Sequence, residues 1–214
     1  MKRSLSPKLW AAAAALSFLT PSLSLHAADI LWEATGSGAW ITEGNWVGDV
    51  MPWSGDVAQF GNTGPASIGV ALQHPAYTPK GEARVDAIVL LEERTARDLT
   101  ISGNVNSTSY FYLEGSTLHG IADTILVNES DRNLTLAADT ASYSRQMNIV
   151  LRDNEDHVVQ VRGAGNVTIQ APINGSGSSL SIEGEGTGGV FLSGTGSAYS
   201  GGTFVRKGGL TITA

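Results

Sequence analysis

The sequence predicts an all-β chain wound as a right-handed parallel β-helix, or a related β-solenoid, with a Trp-rich N-terminal cap. Three observations carry this expectation. Short β-rich triplets recur between turn residues: Leu99-Thr100-Ile101, Leu134-Thr135-Leu136, Val167-Thr168-Ile169, Leu180-Ser181-Ile182, Val190-Phe191-Leu192 and Leu210-Thr211-Ile212. No stretch beyond the N-terminal leader sustains helical periodicity. Glycine is abundant, at 26 residues against 7 prolines, without a collagen period.

Residues 1–28 read as an export signal. Lys2, Arg3 and Lys8 form a basic start, the run from Leu9 to Leu19 is apolar, and small residues lead to Ala27-Ala28. The apolar run falls short of the roughly 20 residues a spanning helix needs. Cleavage after Ala27 or Ala28 removes three bases and no acid. Ten bases then face 20 acids, a net charge of −10. Such a surface repels phosphate backbones and anionic lipid, so nucleic acid is not an expected partner, and no later segment is apolar enough to span a membrane.

Residues 29–69 hold four of the five tryptophans, Trp32, Trp40, Trp46 and Trp53, among turn residues such as Gly36-Ser37-Gly38 and Ser54-Gly55-Asp56. The end of a solenoid exposes an apolar core and open strand edges, which must be covered. A cap is the expected role, and an aromatic carbohydrate-binding platform is the alternative.

Residues 70–214 carry the repeats. In the segment from Glu82 to Glu93 the apolar residues crowd around a β-branched centre, so it reads as strand rather than short helix. In each triplet the apolar ends face one side and the middle residue, usually a hydroxyl, faces the other. Leu99, Leu134 and Val167 start triplets at comparable though irregular intervals along the chain, and Leu180 and Leu210 are separated by a similar interval. Intervals of this size, roughly 20–50 residues, belong to stacked repeats, in which a strand too short to bury its own face stacks on copies of itself. A β-sandwich, with strands every 8–12 residues or so, is the alternative. The chain stops in the strand pattern Leu210–Ala214 without a polar cap, so further repeats or an anchor are expected beyond it.

There is no cysteine, which excludes disulfides, thiolate metal sites and a cysteine nucleophile. Charged residues make up 15%, too few for a coiled coil or a charged disordered tail.

The stretch Gly189-Val190-Phe191-Leu192-Ser193-Gly194 through Tyr199-Ser200-Gly201-Gly202-Thr203 to Gly208-Gly209-Leu210 resembles the autotransporter-associated β-strand repeat. It departs from that pattern at Ser197-Ala198, where Asn-Thr is usual, and at Gly209, where Thr is usual. The segment Trp32, Trp40, Gly44-Asn45-Trp46 and Trp53-Ser54-Gly55-Asp56 also looks like the start of such proteins. The resemblance implies a passenger-type β-helix at the cell surface or outside a Gram-negative-type bacterium. Such proteins often end in an outer-membrane β-barrel or a sorting anchor. The family has no shared catalytic residues to carry over.

The residues themselves give no catalytic, cofactor-binding or metal-ligating set. His74, His119 and His157 have no histidine partner at ligand spacing, and each reads as a surface or turn residue. Gly184-Glu185-Gly186-Thr187-Gly188-Gly189 matches a dinucleotide-binding pattern formally, but a strand follows it rather than a helix, so it reads as a turn. Asp153, Glu155 and Asp156 read as a solvated turn between strands at 147–151 and 158–161, with weak calcium binding as the alternative. Glu92 and Glu93 read as a strand-edge pair whose side chains face opposite ways. The glycosylation-type sequons at Asn106, Asn128, Asn133 and Asn166 are expected by chance in such a composition.

The functional expectation is an exported structural or adhesive surface protein, neither enzyme nor cofactor carrier, whose partners are surface glycans or another surface protein. The alternative is a polysaccharide-binding or polysaccharide-cleaving β-helix. That would need aromatics beside grouped acids, yet Tyr110, Phe111 and Tyr112 alternate faces and lie far along the chain from Asp153.

Overall fold

Stacking short strands in register closes their backbone hydrogen bonds between coils, and the computed structural model takes that solution throughout. It describes residues 28–62, 67–71, 81–95, 97–103, 108–138 and 147–213. Residues 1–27 of the signal segment, His74 and Asn106 lie outside the described residues.

Successive coils supply a strand to sheet I, then to sheet II and, from the second coil to the sixth, to sheet III. The first coil holds β1 (Asp29–Leu31) and β2 (Gly38–Ala39). The second holds β3 (Val57–Phe60), β4 (Ser67–Ala71) and β5 (Gly81–Val85). The third holds β6 (Ala87–Leu90), β7 (Asp98–Ser102) and β8 (Ser109–Leu113). A short strand β9 (Ser116–Leu118) then precedes the fourth coil, β10 (Ile121–Asn128), β11 (Leu134–Ala137) and β12 (Met147–Leu151). The fifth holds β13 (Asp156–Val161), β14 (Val167–Ile169) and β15 (Ile173–Gly175). The sixth holds β16 (Ser179–Gly184), β17 (Gly189–Leu192) and β18 (Ala198–Tyr199). The last strands are β19 (Gly202–Lys207) and β20 (Gly209–Ile212).

Sheet I runs β1-β3-β6-β10-β13-β16-β19, sheet II β2-β4-β7-β11-β14-β17-β20, and sheet III β5-β8-β12-β15-β18. Every neighbouring pair on these paths is parallel, which makes the fold a parallel β-helix.

The expected register holds in sheet II, where Leu99, Leu134, Val167, Val190 and Leu210 form one inward column. The spacing of Leu180 and Leu210 is not a repeat. Leu180 belongs to sheet I and stands against Thr203, whereas Leu210 stands against Val190 in sheet II. In sheet I the inward column runs Ile30, Ala58, Ile88, Leu126, Val159, Ile182, Val205. Its last two steps, Val159 to Ile182 and Ile182 to Val205, take less chain than any before them, so the later coils are the shorter ones. The segment from Glu82 is strand as far as Leu90, broken at Asp86 into β5 and β6, which serve different sheets, and its last residues form a turn.

The three inner faces share one apolar core. Each fully buried aliphatic side chain in it contributes about 1.5–3 kcal/mol. Trp32, Trp40 and Trp46 close its N-terminal end, all fully buried. Trp46 meets Trp32 at 5.0 Å and Trp40 at 4.9 Å, both edge-on, and Trp40 meets Phe111 of β8 at 5.1 Å. The indole N–H of Trp46 donates to the Trp40 carbonyl at 2.8 Å. Residues 45–47 also run antiparallel along the outer edge of β1. Glu33 N donates to Asn45 O at 2.9 Å, and Val47 N donates to Leu31 O at 2.8 Å. Parallel stacking is thereby terminated at this edge of sheet I.

The corner between sheets I and II is held in two ways. The guanidinium of Arg94, fully buried, donates to the carbonyls of Gly61 (2.7 Å), Arg97 (2.9 Å) and Asp98 (3.1 Å), tying two coils together. Burial, helped by the Arg97 charge, lowers its pKa to about 10. In the later coils the corners lie too close for side chains. A Cβ on Gly186 would overlap the Gly163 carbonyl, one on Gly188 the Gly165 carbonyl, and one on Gly163 the Ser130 carbonyl. This packing is the physical reason for the glycine-rich run at 184–189, which is a corner between β16 and β17 as expected.

The outer face of sheet I is not wholly solvent-facing. Val57, Ala87, Val89 and Val127 form a second apolar cluster there, packed against Leu91 and Leu118. The antiparallel pairing of β9 with the start of β10 brings this hairpin back over the face. Gln160 pins it, its Nε2 donating to Thr124 Oγ1 at 2.8 Å and to the Leu118 carbonyl at 3.1 Å.

Candidate functional surface

The cap residues separate by burial. Trp32, Trp40 and Trp46 are internal, so they offer no stacking face to a ligand, while Trp53 is 42% exposed.

Of the two described histidines, one meets the expectation and one does not. His119 does sit in a turn, with φ of 51°, and pairs with Glu129 at 2.7 Å. His157 is not a surface or turn residue; it is fully buried in β13. The alternation that turns Val159 and Val161 inward carries His157 inward too, where it stands against Leu180. Its Nε2 lies 3.0 Å from the Arg152 carbonyl.

Glu92 and Glu93 are not a strand-edge pair either. Strand β6 ends at Leu90, and both glutamates are exposed in the turn that follows.

The acidic turn is occupied by protein partners. Asp153 Oδ1 accepts Ser176 N at 2.8 Å, and Glu155 pairs with Arg152 at 3.3 Å. Asp156 accepts the hydroxyls of Ser179 (2.6 Å) and Ser181 (2.9 Å) and pairs with Arg206. Among the described residues no group of three or more His, Asp or Glu is arranged to hold a metal ion. Among them, too, no helix is long and apolar enough to cross a membrane.

The three described sequon asparagines have structural roles. Asn128 is fully buried and donates to the Arg132 and Asn166 carbonyls at 2.8 and 3.1 Å. Asn133 and Asn166 bridge successive coils through their side-chain oxygens.

One surface groups residues that are distant in sequence. On sheet III, Phe111 points into the core, while Tyr110 and Tyr112 point outward with Glu82, Arg84, Asn148, Val150 and Asn174. Tyr112 stands against Arg84 on one side and Val150 on the other. Because Asp153 closely follows the end of β12, this register brings Tyr112 and Asp153 to one groove of 250 Å³, lined also by Arg84, Glu114 and Arg152. The Arg84 guanidinium lies 3.8 Å from the centre of the Tyr112 ring and pairs with Glu114 at 3.4 Å. Glu114 also accepts the Ser54 hydroxyl. Nearby, burial raises the pKa of Asp86, and the Glu114 and Asp56 charges add to the rise. The Gly55 N–H and the Arg152 charge oppose it.

At the opposite end of the coil stack the inward residues Val205 and Ile212 are 48% and 66% exposed.

No family model, curated protein or solved structure matches this chain. The class defined by its fold is the parallel β-helix with an N-terminal cluster of buried tryptophans.

Proposed function

We propose that this chain is an exported, non-catalytic structural or adhesive protein of a Gram-negative-type cell surface, of the autotransporter-associated β-strand repeat type. The observation that carries this reading is the place of Tyr199-Ser200-Gly201-Gly202-Thr203, the most specific part of the resemblance. It forms the corner from β18 to β19. A Cβ on Gly201 would crowd the Ser178 carbonyl of the coil below, and Gly202 has φ of +92°. The hydroxyls of Tyr199 and Thr203 meet across the corner. Tyr199, Gly201, Gly202 and Thr203 thus each have a reason that belongs to stacked coils, which supports the repeat-type reading. In such a scaffold stability accumulates between neighbouring coils, and recognition falls to the outer faces.

The test is surface labelling. An antibody against the chain is applied to intact and to permeabilised cells of the native host. Labelling of intact cells, or recovery from the medium of a chain that begins at Ala28 or Asp29, is the expected result. A chain found only in the cytoplasm and still beginning at Met1 would overturn the reading.

A further inference from the structure

We propose that the outer groove of sheet III binds a neutral polysaccharide, with a sugar ring seated against Tyr112. This inference rests on the adhesive reading above and gives it a ligand class.

Three features of the groove argue for it. The first is charge balance. Arg84 and Arg152 face Glu114 and Asp153, so the lining carries two cations and two anions although the whole chain is acidic. An anionic polymer would gain nothing from such a lining, and an uncharged, hydroxyl-rich one loses nothing. The second is the donor and acceptor set. Guanidinium groups only donate and carboxylates only accept, whereas a pair of sugar hydroxyls does both. Their presence together around one cleft therefore suits a diol better than any singly charged group. The third is the aromatic ring: Arg84 covers one face of Tyr112, and the groove runs along its side toward Val150, an apolar surface that suits the C–H face of a pyranose.

The groove is also held ready. Arg84 is fixed over the Tyr112 ring at 3.8 Å and by Glu114 and Glu82 at 3.4 and 3.8 Å. Asp153 is fixed by Ser176 N at 2.8 Å. Side chains already ordered lose little entropy on binding. At 250 Å³ the space is small beside the clefts of about 300–1,000 Å³ that take drug-sized ligands, which suits a ring or two of a chain passing over it. The strip around it extends through Tyr110, Asn148 and Asn174, on strands about 4.8 Å apart, so a linear polymer has further hydroxyl partners along the helix axis.

The test is affinity electrophoresis of the full chain in gels containing dextran, mannan, laminarin or xyloglucan, with alginate and polygalacturonate as acidic counterparts. The expected result is retardation by at least one neutral polymer. Tyr112→Ala should weaken it about tenfold or more, as loss of one ring contact of about 1.4 kcal/mol implies. Tyr112→Phe, which keeps the ring, should stay within about threefold, and Thr135→Ala on sheet II should behave as wild type. Matching thermal melts show that the variants are folded. Retardation by no neutral polymer, retardation by acidic polymers alone, or neutral-polymer binding indifferent to Tyr112→Ala would each overturn the proposal. A chain displayed on intact cells but blank in these gels removes the groove alone; a chain retained in the cytoplasm removes the adhesive reading whatever the gels show.

Discussion

The backbone N–H of Asn166 donates to the side-chain oxygen of Asn133, 3.0 Å away and one coil earlier. The same bond recurs on either side: Asn133 N donates to Asp98 Oδ1 at 2.9 Å, and Gly189 N donates to Asn166 Oδ1 at 3.0 Å. These residues stand at or just before the start of a sheet II strand, so the ladder fixes where successive strands begin. Asn133→Ala leaves the Asn166 N–H without its partner and should cost about 1–2 kcal/mol in urea unfolding. Asn133→Asp keeps the acceptor and should cost less. Equal losses would mean that the side-chain oxygen does not set the register.

Glycine at the later corners is required by space. Gly186→Ala would force its Cβ into the Gly163 carbonyl, and the obstacle is backbone that cannot rotate away. We expect a loss above about 3 kcal/mol, or no folded product, in thermal or urea melts. Thr187→Ala, exposed in the same corner, should stay within about 0.5 kcal/mol. A Gly186→Ala protein that melts with wild type would show that the corners can separate.

The tryptophans should divide in the same experiment. Trp46→Ala removes a fully buried ring packed on Trp32, Trp40 and Phe60, and should cost about 3–5 kcal/mol. Trp53→Ala, at 42% exposure, should cost under about 1 kcal/mol. The near-ultraviolet circular dichroism of the Trp cluster should collapse only in the first variant. The reverse order would contradict the cap.

Asp86 makes a pH prediction. Burial raises its pKa above the ordinary aspartate value, so the folded chain holds this proton more tightly than the unfolded chain. Its stabilising contribution is therefore present below the unfolded pKa and is lost as pH rises through the folded one. Asp86→Asn abolishes the titration and keeps an oxygen for the Gly55 N–H, which Asp86 Oδ1 accepts at 2.8 Å. The Tm–pH curve of the variant should fall less steeply as pH rises from the ordinary aspartate range upward, with a Tm at pH 7 no lower than wild type. A lower Tm at pH 7 would mean that the carboxylate charge stabilises the corner.

The sequence by itself determined the β class, the short alternating strands and the sheet II register. Alternation with period two exposes which residues face inward, and Leu99, Leu134 and Val167 repeat it at spacings that prove to be whole coils. It also indicated the cap, because tryptophans crowded among turn residues have little use except to close an end. Only the tertiary structure decided which strand joins which sheet, since a triplet such as Leu180-Ser181-Ile182 reads the same in any of them. It alone placed His157 in the core, because a polar turn precedes it and nothing local marks where the inward phase begins. The hairpin over the outer face of sheet I was equally hidden, for Val89 and Val127 look like ordinary core residues until a second layer is found above them. Tyr112 and Asp153 lie more than a coil apart along the chain, yet they line one groove because parallel strands stack a whole coil of sequence within one strand spacing.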